Sequence, residues 1–258
     1  ITRYPNESRS LNIAHYKGKM LNEIWGYETV GIAQSQQEMD SHLASNKPSW
    51  GSSWSAGDIM YKDLNGDGVV NTGANTVDNP GDRKIIGNST PRYNFGLTLD
   101  AEWNGFDFSV FFQGVGKRDY WLSGPYFWGA SGGMWQSAGF KQHWDFWRGE
   151  NDPLGANLKA YYPRANFDGT KNQYVQSGYL QNAAYIRMKN IQLGYTLPKQ
   201  WTSKAGLSSV RLYVSGDNLL TISDITGIFD PETLGGDWGD GKLYPLCKTI
   251  SVGLNVNF

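Results

Sequence analysis

The sequence predicts an all-β fold of the membrane-barrel kind, and three observations point there. Residues 93–103 alternate apolar and polar without a break. That run has the 9–11 residues of a tilted membrane-crossing strand, about twice the length of an ordinary soluble strand. The connections between alternating runs go short, long, short, long, as in barrels with short turns on one side of the membrane and long loops on the other. The composition holds 32 Gly, 11 Trp, 15 Tyr and 11 Phe, while charged residues make up only 18%. Alternation by itself does not separate a barrel from a soluble sandwich, because both have period two; strand length and loop asymmetry do.

Several classes are excluded at the outset. Lys+Arg is 23 and Asp+Glu is 24, a net charge of −1 without the basic excess of a nucleic-acid binder. A single cysteine, Cys247, excludes a disulfide framework and a CxxC zinc site. No run of about 18 apolar residues reads as a membrane helix. The chain opens at Ile1 with no signal-peptide pattern, as a mature or internal start would.

Taken in order, residues 1–90 read mainly as an extracellular excursion. One further strand is expected within 10–23, a short helix at 38–43, and a Pro/Gly/Ser/Trp-rich stretch at 47–57. Strand 91–103 places Tyr93, Phe95, Leu97, Leu99, Ala101 and Trp103 on one face, and Asn94, Gly96, Thr98, Asp100 and Glu102 on the other. Asn104-Gly105 is a hairpin turn, since both residues tolerate positive φ. Strand 106–118 continues with Phe106, Phe108, Val110 and Phe112 outward and Asp107, Ser109 and Gln113 opposite; Phe111 interrupts the polar side. A long loop, 119–183, follows.

Strand 184–197 changes phase. Ile186 and Met188 share one parity, and Ile191, Leu193, Tyr195 and Leu197 the other. One extra residue near Lys189-Asn190 restores a single apolar face. Without it, Arg187 and Lys189 join that face, which is costly in hydrocarbon. A short link leads to strand 208–222, where Val210, Leu212 and Val214 oppose Arg211, Tyr213, Ser215 and Asp217. Loop 223–243 precedes the last strand, 243–258, with Ile250, Val252, Leu254, Val256 and Phe258 on one face. Five strands do not close a barrel, for which about eight is the practical minimum.

The stretch Gly57-Asp58-Ile59-Met60-Tyr61-Lys62-Asp63-Leu64-Asn65-Gly66-Asp67-Gly68-Val69 resembles a hallmark of the SusC/RagA-type TonB-dependent outer-membrane transporters of Bacteroidetes. The resemblance continues in order through Asp82, Ile86-Gly87, Pro91, Tyr93 and Gly96. It runs on through Gly105-Phe106-Asp107-Phe108 and Phe112-Gln113-Gly114. Arg187-Met188-Lys189-Asn190-Ile191-Gln192-Leu193-Gly194-Tyr195-Thr196-Leu197-Pro198 is similar to a family strand, as are Val214-Ser215-Gly216-Asp217-Asn218-Leu219, Asp230-Pro231-Glu232 and the closing Gly253–Phe258. Two turn or loop segments depart from the family pattern, Trp103-Asn104 and Trp147–Asn151. The resemblance implies that the chain is the C-terminal part of a barrel of about 22 strands, with the plug domain outside it. It implies uptake of a nutrient oligomer, a glycan in preference to a peptide, powered through TonB and capped by a SusD-like surface lipoprotein. Outer-membrane lipid surrounds such a barrel. In that setting Asn94, Asp100, Glu102, Asp107, Arg211 and Asp217 line the solvated interior.

Two constellations stand out. Asp63, Asn65, Asp67, Gly68 and Asn71 fall at calcium-loop spacing, with oxygen ligands at alternate positions and a Gly for the sharp turn. The twelfth position is Ala74, so a bidentate carboxylate is missing there and Asp78 or Asp82 stands next in line. Against a structural Ca²⁺ stands an Asx-rich turn that folds without metal. Within loop 119–183, Trp121, Trp128, Trp135 and Trp144 are candidates to line a substrate cavity, against packing and membrane-girdle roles. The histidines are scattered and no acid/base carboxylate pair stands out, so no enzyme is expected. The alternative reading is a soluble secreted carbohydrate-binding β-module with structural calcium.

Overall fold

The computed structural model describes residues 1–13, 15–130, 137, 139–166, 170–235 and 240–258. The chain divides into two compact units. The first combines residues 1–90, 119–181 and 235–243; the second combines 91–118, 182–234 and 244–258.

The first unit is built from short elements: β1 (Glu23–Tyr27), β2 (Thr29–Ile32), α1 (Gln36–Leu43), β3 (Ile59–Tyr61) and β4 (Arg83–Asn88). β1 pairs with β4, and β2 with β3, both antiparallel. Helix α1 starts where the Ser35 side chain accepts from the Glu38 N–H, a serine N-cap. Its one buried residue, Met39, packs with Ala33 and Met60. The strand expected within 10–23 does not form. The Asn6 side chain takes the carbonyls of Ser10 and His15 and the N–H of Ser10, folding the described part of this stretch into turns. Among the described residues of 10–22 the strand pairing is one bridge from Ser10 to Thr76, and Glu23 opens β1.

The second unit is a five-stranded antiparallel sheet: β5 (Arg92–Trp103), β6 (Phe106–Lys117), β7 (Tyr185–Thr196), β8 (Ser209–Ser223) and β9 (Thr249–Asn257). The spatial order is β9-β8-β7-β6-β5, each strand beside its neighbour in sequence. The β5–β6 turn is the one expected, with Asn104 at φ 49 and Gly105 at φ 86. Apolar residues face outward and remain uncovered, with Trp103 76%, Val252 79% and Leu254 57% exposed. In water such a face aggregates; in a bilayer it meets lipid.

The phase change in β7 is a bulge at Lys189. Met188 stands opposite Phe112 and Asn190 opposite Phe111, so β7 carries one more residue than β6 at this point. As a result Ile186, Met188, Ile191 and Leu193 all lie on the outer face, while Arg187 and Lys189 turn inward. There Arg187 donates to Asp230 at 2.8 Å and Lys189 to Glu232 at 2.9 Å. Arg187 is only 3% exposed and also reaches the Thr221 hydroxyl. Asp230-Pro231-Glu232 is thus the counter-ion segment for the two cations of the bulge.

A second inner-face pair, Arg211–Asp107, is bidentate and spans β8 to β6 across Gly194 of β7. A Cβ on Gly194 would overlap both partners, so glycine is required there by close approach. Phe111, the residue that breaks the polar alternation of β6, lies over Gly96 of β5. The β8–β9 ladder ends at Asp217 opposite Thr249, so β9 begins six residues later than the expected bound at 243 and just ahead of the alternation that starts at Ile250. Asn218 then turns to φ 54 and its amide donates to the Cys247 carbonyl.

Deleting Lys189 removes the extra residue, and strict alternation then keeps Ile186, Met188, Ile191 and Leu193 on one face. In the full-length protein the deletion is therefore expected to retain the heat-modifiable folded band on semi-native gels, as is Lys189→Ala. Inserting an alanine between Ile191 and Gln192 instead turns Gln192 outward and Leu193 inward, and is expected to lose the band. Normal assembly of the insertion would show the outer-face assignment to be wrong.

Candidate functional site

The chemistry-bearing residues cluster in the first unit. Its organising group is Asp58, which is fully buried. Its carboxylate lies 2.8 Å from both the Lys171 ammonium and the Arg164 guanidinium, and accepts from the Asn172 amide and the Ser55 N–H. Burial raises the Asp58 pKa, but the hydrogen bonds from Arg164, Lys171 and Asn172 outweigh it and hold the group below the ordinary carboxylate range. Lys171 is also only 6% exposed and donates to the carbonyls of Ser52 and Ser53. One carboxylate therefore ties segment 52–59 to Arg164, Lys171 and Asn172.

Two ring clusters flank this centre. Trp50 lies 4.7 Å from Tyr27 and 4.5 Å from Tyr174, ring to ring, with Tyr61 edge-on to Tyr27 and Trp50. Burial pushes the Tyr27 hydroxyl up to about 12. In the second cluster Phe127, Trp128, Tyr162 and Tyr179 are all buried, with Phe127 and Tyr179 each in ring contact with the other three. Trp128, expected to line a substrate cavity, packs in this cluster and also borders a small cavity of about 60 Å³ beside His143 and Arg164. Trp121 is half-buried against Trp128. Trp135 falls outside the described residues. Of the four candidates, Trp144 is left open, 60% exposed. The buried Arg148 guanidinium lies 5.5 Å from its ring and donates to its carbonyl, which fixes the indole in place.

A cavity of about 360 Å³ opens in the same unit, within the range of small-ligand sites. Its walls include Thr29, Gly31 and Ile32 of β2, Lys159, and Tyr161 with Tyr179. Sequence reasoning missed this cavity, because its walls lie more than a hundred residues apart and no local spacing links them.

The Asp63 loop holds its shape through its own side chains. Asp63 accepts from the N–H groups of Asn65, Gly66 and Gly68, Asn65 from Asp67, and Asp67 from Val69. Asn71 accepts from the Gly73 N–H. Asp78 pairs instead with Arg9 at the surface. Asp82 is the residue that folds back; it is fully buried and accepts from Leu64, Asn65 and Asn71. Partial desolvation raises the Asp63 pKa, yet the donated N–H groups lower it further. Among the described residues no group of three or more His, Cys, Asp or Glu is placed to hold a metal ion. These bonds are Asx turns.

Two measurements follow from this geometry. Asp58→Ala leaves Lys171 buried and unpaired, a loss of about 3–5 kcal/mol of local stability. Amide exchange in residues 52–59 should accelerate accordingly. Because the folded pKa of Asp58 is depressed, its contribution is whole above the unfolded value of about 3.9 and is lost as pH falls through the lower folded value; protection relative to the intrinsic exchange rate that stays constant from pH 5 to 2 would refute this. For the Asp63 loop, chelation with EDTA should leave the amides of Gly66 and Gly68 protected, while Asp63→Ala should expose them. Protection that depends on added calcium would place an ion in the loop.

No family model matches the chain. It is 30% identical over 258 residues to TonB-dependent receptor P3 of Formosa agariphila, covering 94% of this chain and 22% of that protein. It is 26% identical to TonB-dependent receptor SusC of Bacteroides thetaiotaomicron over 201 residues, covering 77% of this chain and 17% of that protein. Among solved structures, the RagAB peptide transporter superposes with a TM-score of 0.64 at 22% identity, over 99% of this chain and 24% of that one. The RagAB peptide importer in its open-open state gives 0.61 at 20%. The chain thus spans about a fifth of the length of the curated relatives it matches. With the apolar-faced sheet, the inward charges and these relatives in hand, the chain belongs to the SusC/RagA-type TonB-dependent outer-membrane receptors of Bacteroidetes, as a segment of their β-barrel.

Proposed function

We propose that the whole protein imports a nutrient oligomer across the outer membrane, and that this segment supplies an arc of barrel wall and extracellular loops that shape the substrate cavity. The observation that carries this reading is the division of labour in the chain. One unit is a sheet with an uncovered apolar face and a charged inner face. The other is a compact unit of short strands and loops holding a cavity. A soluble carbohydrate-binding module has no use for the first. TonB supplies the energy and a SusD-like lipoprotein the extracellular cap, as the family relationship suggests. The named relatives are receptors and transporters, which fits a protein without catalytic residues.

The resemblance implied a glycan in preference to a peptide, and the loop tryptophans were candidates to line the cavity for either. Trp128 is buried, and Trp144 alone among the described candidates offers an open, pre-oriented ring face. RagAB, similar in fold, is a peptide transporter.

Deletion of the gene in its host should abolish growth on one class of oligomer, and loss of TonB should have the same effect on that class. Growth should return with the full-length gene but not with the alanine insertion after Ile191. A deletion strain that grows normally on every oligosaccharide and peptide mixture tried would remove the import reading.

A further inference from the structure

The cavity beside β2 lies along a strand edge that the chain itself begins to cover and then leaves. At Tyr27 the N–H donates to the Val175 carbonyl at 2.9 Å, and Tyr27 bridges Gln176 in parallel. At Thr29 the covering is by side chain only, with the N–H donating to the Ser177 hydroxyl at 3.2 Å. The covering segment then departs at Gly178, where a Cβ would press on the Thr29 hydroxyl. Beyond it, Val30 is 64% exposed and Gly31 and Ile32 line open space. The Ala33 N–H points to β3, donating to the Asp58 carbonyl at 3.0 Å. Alternation along an antiparallel strand therefore turns the Ile32 backbone N–H and carbonyl the other way, toward the cavity. Among the described residues, its carbonyl is met there by the side chain of nearby Gln34, at 2.7 Å. Lys159 stands on the cavity wall with no ion-pair partner among the described residues.

We infer that this cavity is a slot for an extended peptide, which adds as a short strand to the β2 edge and sets its terminal carboxylate against Lys159. The inference rests on the import reading and names the class of oligomer. Backbone donors and acceptors at strand period recognise a peptide whatever its side chains, as strand-adding domains do. A sugar ring offers no matching ladder. A nutrient importer that reads main chain rather than side chains accepts many sequences, and the free cation favours peptides ending in a free carboxylate.

The test uses the full-length transporter with its partner lipoprotein, purified in detergent. Hydrogen exchange at the Val30–Ile32 amides is followed with a randomised heptapeptide library, with its C-terminally amidated counterpart, and with maltoheptaose. The free-acid library should slow exchange at Ile32. It should bind about fivefold tighter than the amidated one, the worth of one exposed ion pair. Lys159→Gln, a surface change that leaves the fold intact, should erase that difference. Peptide binding that leaves β2 unprotected overturns the slot while the import reading stands. So does an Ile32 amide already protected before any ligand is added, because another segment then fills the edge. Protection by maltoheptaose alone overturns the peptide class. Absence of all binding overturns the slot, and growth of the deletion strain then decides separately whether import itself survives.

Discussion

Hydrocarbon tolerates neither an unpaired amide nor a bare charge, and the second unit is shaped by both constraints. Every cation in the described interior of β7 and β8 turns away from the lipid face and finds a carboxylate. Arg187 and Lys189 meet Asp230 and Glu232; Arg211 meets Asp107. The bulge at Lys189 follows from this requirement, because strict alternation would leave the cations on the outer face. Gly194 follows from it too, since the Arg211–Asp107 pair crosses the space its side chain would fill. A structural irregularity and a sequence glycine thus have one electrostatic cause.

The first unit solves a different problem. Its strands are short and its backbone mostly irregular, so it lacks the long ladders that order the sheet. Order comes instead from a buried carboxylate with two cations and from edge-on and stacked rings. Such aromatic pairs contribute about 0.5–1.5 kcal/mol each beyond the area they bury. This explains the ring-rich composition without assigning every ring to substrate: most of the tyrosines and Trp128 hold the unit together.

What was legible in the sequence had local period or local spacing. The alternation of 93–103, the Asn104-Gly105 turn and the β7 bulge all show in the order of neighbouring residues. The pairing of Asp58 with Arg164 and Lys171 does not, because more than a hundred residues separate the partners. The burial of Trp128 depends on Tyr162 and Tyr179 arriving from distant segments, and a ring count carries no sign of that. The strand expected within 10–23 failed because one side chain, Asn6, competes for the backbone groups that a ladder would use. Asp82 was named beside Asp78 as a partner for the Asp63 loop, and only the fold separates the two.

The two-residue turn between β5 and β6 also bears on how the sheet comes into being. Bringing two strands together costs chain entropy that grows with the length between them, by about 0.6 kcal/mol per doubling of a flexible loop. The β5–β6 hairpin has the smallest such cost in the sheet, while β6 and β7 are separated by residues 118–184. Closing β6 onto β7 carries the largest such cost in the sheet, because no other pair of neighbouring strands is as far apart along the chain.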